Sequence, residues 1–230
     1  GKPHEHSQGP LPPMTELPSI SAPDLAALLA SRLCHDVISP VGAIQSGLEL
    51  LDEMPDDAES MELVRKSTRS AVAKLQFARI AYGASGSTAA EIDLGDAESV
   101  AKGLMEFERA NLTWNGARAY VPKNLAKLVL NVLIVANASV PRGHTVTVDL
   151  NSVAPDVDIV IRAEGTPLRV PARFVALING QNEEPIDAHG VQPYYALLLA
   201  QETGLDLTMT QEADAVTFTI AGTMRPISAA

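Results

Sequence analysis

The chain has 230 residues, enough for one large domain or two small ones, each with its own buried core. Hydrophobic residues make up 46% of it, which argues against wholesale disorder, and the formal net charge of −11 opposes non-specific binding to nucleic acid or to anionic membranes. Cys34 is the single cysteine, so no intrachain disulfide forms; there is neither a secretory signal pattern nor an apolar run of about 18–20 residues. We therefore expect a cytoplasmic protein whose partners are proteins or small molecules, with no nucleic acid and no membrane among them.

The chain begins with a polar, proline-rich stretch and continues as a helix. Residues 1–20 hold five prolines and few apolar residues, which predicts a disordered leader. A helix is predicted from Asp24 to Met54, since Pro23 suits its first turn. Its apolar residues recur every three or four positions and form one stripe, which consists of Leu25, Leu29, Leu33, Val37, Val41, Ile44, Leu48 and Leu51. Pro40 lies inside this helix and removes one backbone donor, so we expect a kink there.

A second helix is predicted from about Ala58 to Tyr82, after a turn at residues 54–57. Its seam residues alternate in steps of three and four, as helix–helix seams do: Met61, Val64, Thr68, Ala71, Leu75, Ala78 and Tyr82. Two such helices form an antiparallel hairpin, and a lone hairpin leaves apolar surface exposed. We therefore expect residues 21–84 to be a dimerisation domain that pairs with a second copy into a four-helix bundle. Residues 83–87 are typical of a flexible linker.

The second half of the chain, residues 90–224, mixes helices and strands. Helices are predicted over residues 96–110, 123–138, 171–178 and 191–203. Strands are predicted over residues 144–151, 157–163, 205–211 and 215–220. This order indicates an α/β sandwich in which helices cover one face of a single sheet. The chain as a whole is therefore expected to be an α+β protein.

His35 is the most informative residue of the first helix. The helical wheel places it roughly 190° from the centre of the apolar stripe, so its imidazole is expected to face water. Four small or polar residues share this face: Arg32, Ser39, Gly42 and Ser46. Imidazole is largely unprotonated at pH 7, so a ring nitrogen is available to attack phosphorus. We interpret His35 as a candidate phosphoryl acceptor and Asp36 as a candidate acid or base. A surface histidine without function and a solvated carboxylate are the open alternatives.

The second helix carries a basic strip that includes Arg65, Lys66 and Arg69. Folding the hairpin about the turn brings this strip beside Gly42 and Ser46. Basic side chains beside an exposed histidine would suit an acidic pocket on a partner protein, so we treat the strip and the histidine face as a candidate partner-binding surface. The alternative is a solvated helix face with ion pairs between the two helices.

The sequence from Arg32 to Ile44 resembles the phosphoacceptor box of sensor histidine kinases. That box has a histidine, an acidic residue and a proline five positions after the histidine, and His35, Asp36 and Pro40 match it. The continuation Gln-Ser-Gly-Leu-Glu-Leu-Leu, residues 45–51, is closer still to the ChpT-type histidine phosphotransferases of alphaproteobacteria. The resemblance covers about residues 25–222. It implies that the C-terminal half has the fold of a histidine-kinase ATP-binding domain.

The chain departs from that domain at the residues that bind ATP. Asn131 keeps one asparagine of the first motif, but Val135 stands where magnesium is bound, and a hydrocarbon cannot coordinate magnesium. Ala163 stands where an aspartate reads adenine, and Glu164 is one position away, so it points to the opposite face of a strand. The glycine-rich loop is reduced to Gly190. The resemblance therefore implies a degenerate domain that binds no cofactor, and a phosphotransferase rather than an ATP-dependent kinase.

The resemblance also implies a place in a phosphorelay. A receiver-domain aspartate of a hybrid kinase would donate a phosphoryl group to His35, which would pass it to receiver domains of response regulators that control the cell cycle. The receiver domain would supply the magnesium ion. Two alternatives remain at this point: a dimeric adaptor whose His35 is never phosphorylated, and an active histidine kinase that binds ATP in an unusual way.

Overall fold

The computed structural model describes residues 16–83, 91–108 and 110–224. The N-terminal part is a hairpin of two helices, α1 (Ala22–Glu53) and α2 (Ala58–Ala81). The Ser21 hydroxyl accepts a hydrogen bond from the Asp24 amide at the start of α1, as serine does at helix N-termini. The predicted hairpin is confirmed, with helix ends within two residues of those expected. Residues 84–90, which include most of the predicted linker, lie outside the described part of the chain.

The two helices pack in the predicted register. Gly47 of α1 is buried, and a Cβ atom there would lie 2.6 Å from Val64 Cγ2 and 3.4 Å from the Ser60 carbonyl oxygen. Farther along the hairpin, the Lys74 ammonium donates a hydrogen bond of 3.1 Å to the Asp36 carbonyl oxygen. Both contacts are the ones expected when the hairpin folds about the turn at 54–57.

The described residues of the C-terminal part form four helices and seven strands. The helices are α3 (Leu94–Met105), α4 (Lys123–Ala138), α5 (Ala172–Ile178) and α6 (Val191–Thr203). Two short strands, β1 (Glu91–Asp93) and β3 (Tyr120–Pro122), pair antiparallel. The other strands are β2 (Asn111–Asn115), β4 (Thr145–Ser152), β5 (Asp156–Glu164), β6 (Asp206–Gln211) and β7 (Ala215–Thr223). They form one sheet in the order β2-β4-β5-β7-β6, in which only β2 and β4 are parallel neighbours.

Three strands of this part were not predicted. β1 and β3 have three residues each, too few to show the alternation that identifies a strand. β2 follows the predicted helix 96–110, which in fact ends at Met105. β2 pairs in parallel with β4, and α4 lies in the crossover connection that such a pair requires. This pairing joins residues that are distant in sequence, so the local pattern of β2 does not reveal it.

The core lies between the sheet and the helices on one of its faces. Alternate residues of the central strands are buried, for example Ile159 and Ile161 of β5, while their neighbours reach the other face. α4 is buried along most of its length, because it packs against α2 and α6 as well as the sheet. α2 also contacts α3, and α1 contacts α6, so the hairpin and the sandwich share an extensive junction. The expected α+β fold is confirmed.

The described end of the expected leader is ordered against the sandwich. Leu17 and Ile20 pack against the hydrophobic core, and the Tyr194 hydroxyl donates a hydrogen bond of 2.7 Å to the Pro18 carbonyl oxygen. The expectation of disorder is therefore wrong for residues 16–20. These few apolar residues gain a partner surface on α6 that composition alone does not reveal.

α1 has the length and apolar composition that would allow a helix to cross a bilayer, although the sequence lacks an uninterrupted apolar run. Only 6% of its apolar stretch is buried within one copy of the chain. The length and composition of α1 are weak evidence for a membrane span, because a helix that packs against other helices passes the same test.

Candidate functional site

His35 lies on the open surface of α1. Its side chain is 65% exposed, which agrees with the position that the helical wheel gave it. The Nδ1 atom lies 3.8 Å from Asp36 Oδ1, so this edge of the ring faces the carboxylate. The ring is thus accessible to a partner while one of its edges is directed toward a negative charge.

Asp36 is held by Arg32, one turn earlier on the same helix. Arg32 Nε lies 3.1 Å from one carboxylate oxygen and 3.3 Å from the other. The Arg32 side chain is 20% exposed, and its Nη1 also approaches the His189 carbonyl oxygen at 3.5 Å. Arg32 was predicted to contact a partner protein. In this structure it joins Asp36 to the C-terminal part of the same chain.

The helix backbone beneath the site is completed by α2. Pro40 has no N–H, so the Asp36 carbonyl lacks the donor that an α-helix normally supplies from the fourth residue along. The Lys74 ammonium fills this place with its 3.1 Å hydrogen bond. The proline of the phosphoacceptor box is therefore matched by a lysine on the opposite helix, and the pair ties α2 to the site.

We expect Lys74→Met to lower the free energy of unfolding by about 1 kcal/mol, since it leaves the Asp36 carbonyl without a charged donor. In a Pro40→Ala background the cost is expected to fall below about 0.5 kcal/mol, because the new amide at position 40 can bond to that carbonyl. Urea denaturation of the four proteins of this double-mutant cycle measures both values. Equal costs in the two backgrounds would contradict the pairing.

The sequence did not indicate His189, which the fold brings to the site. Its ring centroid lies 5.1 Å from that of His35, and the two rings meet at 81° in an edge-to-face arrangement. His189 belongs to the segment before α6, at the place of the degenerate glycine-rich loop. The one feature of the sequence that could have pointed to His189 is that a histidine stands next to Gly190.

The remaining residues of the candidate partner-binding surface lie on the outside of the hairpin. Ser39 and Ser46 are exposed, and nothing lies within 4 Å of a Cβ atom built at Gly42. Three exposed basic residues lie along α2: Arg65, Lys66 and Arg69. Arg69 Nη2 lies 3.6 Å from Glu62 Oε1. Ile38, one turn from His35, is 67% exposed, and nothing in the sequence pattern singled it out. An apolar side chain so exposed beside His35 is a further candidate contact for a partner.

The residues that the sequence resemblance aligns with ATP-binding motifs, among them Asn131, have structural contacts here. The Asn131 side-chain amide donates hydrogen bonds to the Ala81 and Lys127 carbonyl oxygens at 3.1 and 2.8 Å. Gln192 of α6 donates to the Asn131 carbonyl oxygen at 2.7 Å. Asn131 therefore links α4 to the end of α2 and is itself held by α6. Val135 and Ala163 are buried within the core.

A cavity of about 380 Å³ lies at the junction of hairpin and sandwich, next to Asp36. Arg32, Lys74 and Glu108 contribute charged groups to it, and Tyr82 closes one side. Burial raises the pKa of Tyr82 to about 12, and the nearby Asp36 carboxylate acts in the same direction. Within the described residues no group of three or more His, Cys, Asp or Glu side chains is placed to hold a metal ion.

Comparisons with known proteins agree with this arrangement. The family model of the histidine phosphotransferase C-terminal domain matches residues 94–215. Protein phosphotransferase ChpT of Brucella abortus (strain 2308) is 50% identical over 201 residues, which cover 87% of this chain and 96% of that protein. A solved structure of a bacterial phosphotransferase has a TM-score of 0.84 and 49% identity, over 89% of this chain and 100% of that one.

The structure presents an exposed histidine on a helical hairpin, beside an α/β sandwich that the phosphotransferase family model matches. The chain belongs to the histidine phosphotransferase family. Its function is phosphotransfer in two-component signalling, and the resemblance carried by residues 32–51 is confirmed.

Proposed function

We propose that this protein is an ATP-independent relay intermediate. His35 accepts a phosphoryl group from a receiver-domain aspartate of a hybrid kinase and passes it to the receiver domains of response regulators. The observation that carries this proposal is the imidazole of His35, 65% exposed on a helix that is otherwise held in place by α2 and α6. A nucleophile that is both fixed and accessible suits a transfer in which positioning supplies much of the rate enhancement.

The chemistry assigned to the ring follows from its orientation. Because Nδ1 faces Asp36, the opposite nitrogen, Nε2, is the nucleophile. Its lone pair forms the P–N bond while the P–O bond to the donor aspartate breaks, and the electron pair of that bond leaves with the carboxylate. The proton stays on Nδ1, where Asp36 stabilises the positive charge that develops on the ring. Transfer to an acceptor aspartate reverses these steps.

The surroundings of three residues support independence from ATP. The Asn131 amide is engaged with backbone carbonyls, and Val135 and Ala163 present hydrocarbon inside the core. Neither the Val135 nor the Ala163 side chain can replace a magnesium ligand or an adenine-reading carboxylate. In this proposal the magnesium ion that phosphoryl transfer requires is brought by the receiver domain.

The surface of the hairpin supports a homodimer. Among the described residues, every exposed large apolar side chain except Tyr120 lies on α1, α2 or the turn between them: Ile38, Val41, Leu48, Leu50, Met54, Met61, Leu63, Val72 and Leu75. Such a concentration, apart from Ile38 beside His35, favours burial against a second hairpin in a four-helix bundle. The receiver domain would then approach at His35, with Ile38 and the basic strip of Arg65, Lys66 and Arg69 at the contact.

A cytoplasmic location fits the same helix. The apolar stretch of α1 contains the Arg32–Asp36 ion pair as well as His35. Placing this pair in hydrocarbon would be costly, whereas a bundle of two hairpins leaves it at the water-exposed surface.

The proposal is tested by two incubations of the purified protein. With radiolabelled ATP alone we expect no label on the protein. With a receiver domain that carries a labelled aspartyl phosphate, we expect label to appear within the lifetime of that donor, and a second receiver domain should then remove it. Labelling by ATP alone would show an active kinase. Failure of every receiver domain in a panel to label the protein would show an adaptor.

A further inference from the structure

The segment between α5 and α6, residues 179–190, is fixed by hydrogen bonds at both ends. Arg173 of α5 donates to the Asn182 side chain at 2.9 Å and to the Glu184 carbonyl oxygen at 3.0 Å. A loop held in this way keeps one conformation, so the side chains it carries have defined positions.

His189 is held at the second of these ends. Asp187 Oδ1 accepts hydrogen bonds from the backbone amides of His189 and Gly190, at 3.1 and 2.7 Å. These bonds, above all the one from Gly190, hold the pKa of Asp187 below its usual range. Arg32 Nη1 approaches the His189 carbonyl oxygen from α1 at 3.5 Å. The backbone of His189 is therefore anchored both to its own loop and to the helix that carries His35.

The imidazole of His189 packs against that of His35, with the Asp187 carboxylate nearby. The two ring centroids are 5.1 Å apart, which is contact distance for an edge-to-face pair. Neither ring nitrogen of His189 is hydrogen-bonded to a described residue. The cations of this region are engaged elsewhere, since Arg32 pairs with the Asp36 carboxylate and Lys74 bonds to the Asp36 carbonyl oxygen. A group attached to His35 would therefore lie close to the imidazole of His189.

We propose that His189 is a second functional imidazole of the site, which donates a ring N–H hydrogen bond to the phosphoryl group carried by His35. This inference rests on the proposed role of His35. A phosphoryl group brings close to two negative charges next to the Asp36 carboxylate, so a donor on its other side lowers the energy of the phosphorylated state. The bond is also available in the transition state, because the non-bridging oxygens stay negatively charged while phosphorus moves between oxygen and nitrogen.

The step balances without a proton transfer to or from His189. The P–N bond to His35 forms as the P–O bond to the donor aspartate breaks, and the electron pair leaves with the aspartate. His189 keeps its proton and contributes only the hydrogen bond. Its position in the C-terminal sandwich gives the degenerate domain a direct part in phosphotransfer at the hairpin.

The test compares His189→Ala with His189→Gln and with Gln181→Ala, in the full-length protein. Glutamine retains an N–H donor, and Gln181 is an exposed neutral residue of the same loop. At saturating phosphorylated receiver domain, we expect His189→Ala to slow transfer about tenfold, the size of one charge-assisted hydrogen bond. His189→Gln should recover at least part of this rate, and Gln181→Ala should match the wild type. The affinity for the receiver domain, from isothermal titration calorimetry, should change less than about twofold in all three.

The outcomes separate this inference from the proposed function. If the wild-type protein takes no label from the receiver domain, the proposed role of His35 fails and the inference fails with it. If the wild type is labelled and His189→Ala is labelled as fast or faster, His189 is dispensable or obstructs the site, and only the inference fails. An effect of His189→Ala that lies wholly in receiver affinity would make His189 a docking contact and would also overturn it.

Discussion

Replacing His35 with alanine is expected to abolish labelling by a phosphorylated receiver domain, to below about 1% of the wild-type rate. The reason is that the imidazole is the group that forms the bond to phosphorus, and a methyl group cannot replace a nucleophile. The substitution removes a side chain that is 65% exposed, so it is expected to leave the free energy of unfolding within about 0.5 kcal/mol of the wild type. Phosphor imaging of the receiver reaction, with urea denaturation of the same samples, measures both effects.

Cys34→Ala is the matched control for this experiment. Cys34 is also exposed, directly precedes His35 and is itself a nucleophile. We expect the Cys34→Ala protein to be labelled like the wild type, and the label to be lost in acid but kept in alkali, as for a phosphorus–nitrogen bond. If the His35→Ala protein is labelled, or if the Cys34→Ala protein is not labelled, the phosphoryl group is carried by a residue other than His35.

Gly47→Ala is expected to destabilise the hairpin by about 1–2 kcal/mol, although alanine is the better helix former. The new Cβ atom would lie 2.6 Å from Val64 Cγ2, and a valine in a helix has one strongly preferred rotamer, so the two helices must move apart. Separation of α1 and α2 would also distort the surface that a second hairpin would cover in the proposed bundle. Urea denaturation is expected to show a lower midpoint, and sedimentation equilibrium a weaker dimer of the 24.3 kDa chain.

Gly42→Ala makes the same chemical change five residues earlier on the same helix. No atom lies within 4 Å of a Cβ atom built there. We expect this variant to gain about 0.5–1 kcal/mol of stability, because alanine loses less backbone entropy in a helix than glycine does. Gly47→Ala that is as stable as Gly42→Ala would mean that the helices have room for a side chain at Gly47. A wild-type chain that sediments as a monomer would contradict the proposed bundle.

Much of the hairpin and its site could be predicted because their determinants are local. The spacing of apolar residues along α1 identifies the face that packs and, by exclusion, the face on which His35 lies. The pairing of α1 with α2 follows from the short turn between them. The Arg32–Asp36 ion pair, at the i and i+4 positions of one helix, could also have been predicted, but Arg32 was interpreted only as a partner contact.

The contacts that complete the site could not be predicted in the same way. Arg32 meets the carbonyl of a residue 157 positions away, and the ring contact of His35 with His189 spans a similar interval. No periodicity connects such residues, because their distance depends on how α6 packs against α1. The order of residues 16–20 depends likewise on a surface of α6 that forms only in the folded chain.

The amino-acid sequence alone determined the hairpin and the histidine on its water-facing side, since each depends on residue type or on spacing within one element. The tertiary structure decided what surrounds that histidine: the lysine that serves the carbonyl left open by Pro40, the arginine that ties Asp36 to the sandwich, and the second imidazole against its ring. These depend on the packing of whole helices and loops against one another, where the burial of many apolar side chains fixes the position of a few polar ones.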